Sequence, residues 1–215
     1  MLRRIHAEML RHALGLEFSP RALDEIIAAS VKQDAFWTGQ IGHDEYHFDN
    51  NAFEKSLVFI EDQRALIAPA LENGDVETAW RAFGKLTHTA QDFYSHSNYV
   101  DLWLSIQPDG MKPTPPEIEP LDDGLISSAA LRSGRIYYPL EALTFFHPLK
   151  KWIVPMLPRD SHAWMNLDSA ERGPLFEYAL QAAIKRTRYE FEVTTRNFSP
   201  SLSALFRDLQ NNHAA

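Results

Sequence analysis

In the stretch THTAQDFYSHSNYVDLW, Thr87–Trp103, His88, Asp92 and His96 stand at four-residue intervals. In an α-helix such residues share one face, about 6 Å apart along the axis. His88 and Asp92 can therefore grip one divalent ion together. His96 lies roughly 12 Å along the axis from His88. With His–metal bonds near ~2 Å, all three cannot share an ion, so the spacing points to a cluster in which Asp92 bridges or sits between ions. A His–Asp pair at this spacing is also an ordinary helix-stabilising contact, so a metal reading needs further ligands.

Candidates occur on other segments. His6 lies in the first periodic run, Asp34 ends the second, and His47 follows in HDEYHFDN. His162 and Asp168 sit in SHAWMNLD. Each alone has an ordinary reading, as a surface histidine, a helix-end carboxylate or a packed turn residue. Together they supply what bundle metal sites require, which is donors from several helices.

The elements that must position them read as helices. Residues 2–15 carry Leu2, Ile5, Met9, Leu10, Ala13 and Leu14 at helical spacing before Gly15. Ser19-Pro20 reads as an N-cap followed by an N1 proline, opening a helix through ALDEIIAASVKQDAFW. A third run covers 52–71 and ends before Asn73-Gly74. Asp75 caps a fourth, DVETAWRAFGKLTHTAQDFYSHS, and Gly173-Pro174 starts a long closing helix. No period-2 strand is evident. Residues 105–124 are proline-rich and read as a loop; 125–168 are broken by Pro139, Pro148, Pro155 and Pro158. The expectation is a single all-α domain over 1–215 with an irregular insertion near 105–168.

Composition narrows the function classes. The 215 residues are 45% hydrophobic and contain no cysteine, so disulfides and thiolate ligands are excluded, and any metal must be held by His, Asp and Glu. A net charge of −8 gives no broad attraction to nucleic acid. MLRRIHAEML is not a recognisable signal peptide, and no apolar run reaches the ~18 residues of a membrane span. The expected location is cytoplasmic, with secretion open if a leader was removed.

The combination RIHAEMLRHAL, ASVKQD, HFDN, HTAQDFYSHSNY and SHAWMNLD before a last helix, spread over residues 6–195, resembles the zinc-dependent phospholipase C and fungal single-strand nuclease superfamily, nearest its heterokaryon-incompatibility C branch. The resemblance implies an all-helical fold, two or three zinc ions in a cleft, and hydrolysis of phosphate esters. By matching position, Asp34, His47, His88 and Asp92 would hold one zinc. His96 and His162 would hold a second with an acidic partner, and His6 with Asp92 a third. In secreted members the free N-terminal residue itself ligates a zinc, whereas five residues precede His6 here. The family's second site often uses His-x-x-x-Glu; here Asn166 stands four residues after His162, which leaves Asp168 as the acid and Glu177 in reserve. Asp34 would also orient or deprotonate the attacking water. Clustered divalent ions lower the pKa of bound water and clamp phosphate oxygens; manganese or iron suits the same donors.

Three alternatives stand beside this. Gly42-His43-Asp44 carries the His-Asp dipeptide of the HD phosphohydrolases. A metal cluster can be purely structural, in a recognition protein of the heterokaryon-incompatibility C type. A single-strand nuclease would need a basic track and stacking aromatics; the aromatics are present but the acidic balance ranks nucleic acid behind a phospholipid head group or small phosphoester. YYPLEALTFFHPLKKWIVPMLP, with Lys150-Lys151 inside it, is either a lid or membrane-surface contact or a segment packing its aromatics into the core.

Overall fold

The computed structural model describes residues 1–40, 42–145 and 147–209. Eleven α-helices are found among them: α1 (Arg3–Leu14), α2 (Pro20–Lys32), α3 (Asp44–His47), α4 (Phe53–Glu72), α5 (Val76–His96), α6 (Tyr99–Ser105), α7 (Asp123–Ile126), α8 (His147–Ile153), α9 (His162–Met165), α10 (Leu175–Thr195) and α11 (Pro200–Arg207). The described residues contain no strand, only isolated bridges Ser97–Ser133 and Arg135–Ser161. The chain is all-α. None of these helices is long and apolar enough to cross a membrane.

The bundle is organised around α5, which packs against α2, α4 and α10, while α1 lies against α2 and α10. From Leu86 to Ser97 every residue is buried. One side of α5 is apolar, with Trp80, Phe83, Leu86, Ala90 and Phe93 in the main core. The other buries His88, Asp92, Ser95 and His96. A helix enclosed on all sides normally carries apolar residues all round; here a polar stripe runs inside the protein and must find its partners there.

Local signals in the sequence set the helix starts. Ser19 Oγ accepts the Ala22 N–H at 3.1 Å, and Asp75 Oδ1 accepts that of Thr78 at 3.1 Å. Helix α2 is shorter than its periodicity predicts, ending at Lys32 instead of running on to Trp37; a single π-turn over Phe36–Gln40 follows. The turn releases Asp34 from helical geometry, and its carbonyl accepts from the Arg3 guanidinium at 2.6 Å. The long helix α10 is not the last: Ser199-Pro200 repeats the Ser19-Pro20 start and opens α11.

The insertion is more ordered than its prolines suggest, containing α7–α9. Part of it forms a small core of its own, with Ile153, Leu157 and Ala163 buried and Tyr137, Leu140 and Trp164 against them. Within the aromatic segment, Phe146 and the Lys150 side chain lie outside the described residues.

Close approach of α2 to α5 rests on Gly84. A Cβ there would stand 2.3 Å from the Ile26 carbonyl oxygen and 2.9 Å from Ala29 Cβ. Gly84→Ala is expected to push the helices apart and cost about 1–3 kcal/mol, read as a lowered urea midpoint; an unchanged midpoint would show that the contact is slack.

A buried histidine and aspartate centre

Asp92 lies at the middle of the site and is fully buried. Its Oδ2 is 2.8 Å from His47 Nδ1 and 3.1 Å from His88 Nε2. Its Oδ1 is 3.3 Å from His6 Nε2 and 3.9 Å from His96 Nε2, and it also accepts from Ser95 Oγ at 3.2 Å and from the Met1 ammonium. The two oxygens thus face different sets of nitrogen donors. His88 Nε2 is 3.3 Å from His47 Nδ1 and 3.7 Å from Asp34 Oδ1. His6, Asp34, His88 and Asp92 each offer a donor atom within 4.8 Å of the others'. The His6 and His88 rings stack with centroids 4.0 Å apart.

A second group lies one helical turn further along α5. Asp49 Oδ1 is 2.8 Å from His162 Nδ1 and 3.4 Å from His96 Nδ1. Asp49, His96 and His162 bring donor atoms within 4.8 Å of one another. Asp168 approaches His96 through its other nitrogen, Oδ1 to Nε2 at 3.2 Å, and stands 3.3 Å from the Met1 ammonium. All of the positions named from the sequence, His6, Asp34, His47, His88, Asp92, His96, His162 and Asp168, therefore gather in one region. Asp49 joins them and touches both histidines of the second group. Its signal was the spacing His47-x-Asp49 inside HFDN, where only the histidine had drawn notice. Glu177 is exposed on α10. His43 pairs instead with Glu45, at 3.1 Å, and stacks on Tyr46, so the His43-Asp44 dipeptide takes no part in either group.

The turn that carries His47 and Asp49 is built around Phe48. Its side chain is buried against Phe53 and Phe93 at centroid distances of 5.8 and 5.2 Å, and its backbone is left-handed, φ 58°. That conformation costs a phenylalanine about 1–2 kcal/mol, offset by burial of the ring. With Phe48 plugged into the core, its polar neighbours on both sides face the centre. Asn50 and Asn51 follow, also left-handed, and staple the turn to residues 133–136. Asn51 Oδ1 accepts the Ser133 N–H and Asn50 Oδ1 the Ile136 N–H, both at 2.7 Å. Gly134 donates its N–H to the His96 carbonyl at 2.9 Å and accepts from the Asn50 N–H at 2.8 Å. Its missing side chain lets His162 in: a Cβ would lie 2.5 Å from His162 Cα.

The donor set fits divalent ions. A carbonyl oxygen can only accept, so His47 donates Nε2–H to the Gly39 carbonyl (3.3 Å) and His96 donates Nδ1–H to the His47 carbonyl (2.9 Å). Thr187 donates its hydroxyl to the Ala183 carbonyl and so accepts from Gln91 Nε2, which turns Gln91 Oε1 toward His6 Nδ1 at 2.6 Å. His47 and His6 thereby present their other nitrogen to Asp92, and His96 its Nε2 to Asp168, as bound imidazoles do. His6 Nε2 and Asp34 Oδ2 are buried with no hydrogen bond. The donor separations of 2.8–3.7 Å around His88 bracket the ~3.3 Å edge of a tetrahedron with zinc-length bonds.

Electrostatics in the metal-free protein follow from the same contacts. Burial would raise the Asp92 pKa, yet the Met1 ammonium, His96, His6 and His88 hold it well below the usual carboxylate range. Burial also opposes charge on His47 and His96, but Asp92 and Asp49 outweigh it and raise both. His88, buried beside His6, is pushed down to about 4. The Met1 amine is raised to about 11, against burial, by Asp92, Asp168 and Asp34.

A cleft of about 530 Å³ opens onto the centre, lined by His47, Asp49, His96 and His162, with Arg3, Arg4, Tyr138 and Thr144 nearer its wall. Residues 5–111 match the family model described as the VWA7 N-terminal domain. That span contains His6, Asp34, His47, Asp49, His88, Asp92 and His96, and stops before His162 and Asp168. No curated protein and no solved structure matches the chain.

Two outcomes are expected. Gly134→Ala should displace His162 and weaken any ion taken up by Asp49, His96 and His162 while leaving uptake at the Asp34–His88 group unchanged; elemental analysis after metal loading that finds both unaffected would show that the loop can yield. A divalent ion bound through His47 and His96 would have to displace the protons on them. Both pKa values are raised, so their contribution to metal-free stability is complete below the unfolded value of about 6.5 and is lost as pH rises through the folded values. Metal-free protein should therefore lose melting temperature above pH ~6.5, whereas an ion bound through these rings would hold it and bind more tightly as pH rises. Calorimetry in buffers of different ionisation heat should show proton release on zinc binding at pH ~6.5; none would mean that these rings are already neutral.

Proposed function

We propose that the protein is a multi-metal phosphoester hydrolase, with zinc the natural occupant. The observation that carries this reading is Asp92, whose two oxygens face two sets of histidines beneath a cleft lined by Asp34, His47, Asp49, His96 and His162. His88, His47 and Asp34 with Asp92 would hold one ion, and His96, His162 and Asp49 a second. Asp168 and His6 flank Asp92 near the Met1 amine. Such ions supply an acidified water and a clamp for phosphate oxygens.

The chain's own groups support the rest of the reaction. Asp34 directs Oδ1 toward His88 and leaves Oδ2 without a hydrogen bond, so this carboxylate can orient a water and take its proton. Arg3 braces the Asp34 backbone, which fixes that carboxylate at the end of α2. Arg4, exposed on the cleft wall with no ion pair among the described residues, offers a guanidinium to a substrate phosphate. The net charge of −8 favours a lipid head group or small phosphodiester over nucleic acid.

A second reading is favoured by one observation. The Met1 ammonium already pairs with Asp92 and Asp168, so the centre can balance its charge without metal and serve as a structural polar core.

The readings part on one experiment. Purified protein is assayed for metal and then tested on phosphatidylcholine, a chromogenic phosphodiester, a phosphomonoester and single-stranded DNA, beside Asp34→Asn and His88→Ala. The hydrolase reading expects more than one ion per chain, turnover of a lipid or small ester, and a loss of about 10²-fold or more in kcat for Asp34→Asn with metal retained. Full metal sites with no turnover on any substrate would leave the structural reading; cleavage of DNA alone would make the protein a nuclease.

A further inference from the structure

The insertion carries an exposed apolar row that the bundle does not use. Leu149 and Trp152 lie one turn apart on α8, and Met156 follows on the next turn; Trp152 is 69% and Met156 71% exposed. Their neighbours in sequence, Ile153 and Leu157, face inward and form the insertion's small core with Ala163. The segment thus has two apolar faces, one satisfied and one free. Leu143 is exposed nearby in sequence. The same segment reaches the metal cleft, since Tyr138, Glu141 and Thr144 line it.

Charge on this segment is opposite to that of the whole chain. Residues 135–160 contain Arg135, Lys150, Lys151 and Arg159 against Glu141 and Asp160, whereas the chain carries −8. Glu141 is buried and accepts from the Tyr137 and Ala163 backbone N–H groups, and Asp160 is paired with Arg135. The Lys151 ammonium lies 5.4 Å from the Trp152 ring centroid. A tryptophan and methionine proud of the surface, flanked by lysine, is the pattern that settles at a lipid–water interface and is drawn to anionic head groups. Three side chains fall well short of the ~800 Å² per partner of a stable dimer, which argues against a second copy as the occupant.

We propose that Leu149, Trp152 and Met156 form a docking surface for an anionic phospholipid bilayer, with Lys151 reading its charge. Docking there brings the cleft, through Tyr138 and Thr144, to the head-group layer. The docking itself stands apart from the hydrolase reading; its consequence, delivery of lipid head groups as substrate, rests on that reading.

The test is co-sedimentation of the full chain with vesicles of phosphatidylcholine alone and of phosphatidylcholine with a minor share of phosphatidylserine. Wild type should bind the mixed vesicles, bind the neutral ones weakly, and be released by salt. Trp152→Ser with Met156→Ser should weaken binding at least about tenfold, and Lys151→Glu should abolish the preference for phosphatidylserine. Circular dichroism of both variants checks the fold, and Lys151→Glu, on an exposed position, keeps the test open if the double variant melts. Binding to neither vesicle, binding unchanged in folded variants, or a dimer that the double variant dissolves would each overturn the proposal. Docking without phosphatidylcholine hydrolysis would retain the surface and remove the lipid-hydrolase reading.

Discussion

A single carboxylate taken wholly out of water governs this structure. An isolated buried charge costs several kcal/mol even after relaxation, and Asp92 escapes that penalty by meeting donors from several parts of the chain, among them the Met1 amine, His6, His47 and His88. Each requires its own element to be in place. The position of α1, the end of α2, the turn after α3 and the burial of α5 are all linked through one side chain. Removing a partner strands the charge, so the polar stripe of α5 enforces specificity where an apolar stripe would tolerate repacking.

Rigid placement of the histidines comes from apolar and backbone contacts more than from the site itself. Phe48 is driven into the core in a strained conformation, and this fixes His47 and Asp49 on either side of it. Gly134, held between the His96 carbonyl and the Asn50 N–H, allows the backbone of His162 to pass close by. Three rings have one nitrogen fixed by a carbonyl or amide oxygen, which leaves the other nitrogen no freedom in direction. The centre is thus pre-organised before any ion or substrate arrives.

Charge is distributed unevenly around this centre. The bundle is acidic, the buried cluster mixes carboxylates with imidazoles, and the insertion that borders the cleft is locally basic with an exposed apolar row. The field of such a patch is local, since the attraction of a few basic groups fades within about 10 Å at ordinary salt.

The sequence by itself determined the helical class, the bounds of α1, α4 and α5 to within a residue or two, and most of the side chains that gather at the centre. Helical periodicity and capping are local, and Ser19-Pro20, Asp75 and the 88–92–96 spacing act within a few residues of themselves. Two things it did not reveal were the arrival of α11 after α10 and the early end of α2, where a local start signal and a turn outweighed periodicity. Only the tertiary structure decided which carboxylates share which histidines. Asp49 and Asp168 lie 47 and 72 residues from His96 along the chain, and their approach depends on Phe48 burial, the Asn50–Asn51 staple and the space left by Gly134. The same holds for the insertion: prolines show where helices break, but which of its aromatics turn inward and which stay in water is set by the small core of Ile153, Leu157 and Ala163, a packing outcome that no local spacing encodes.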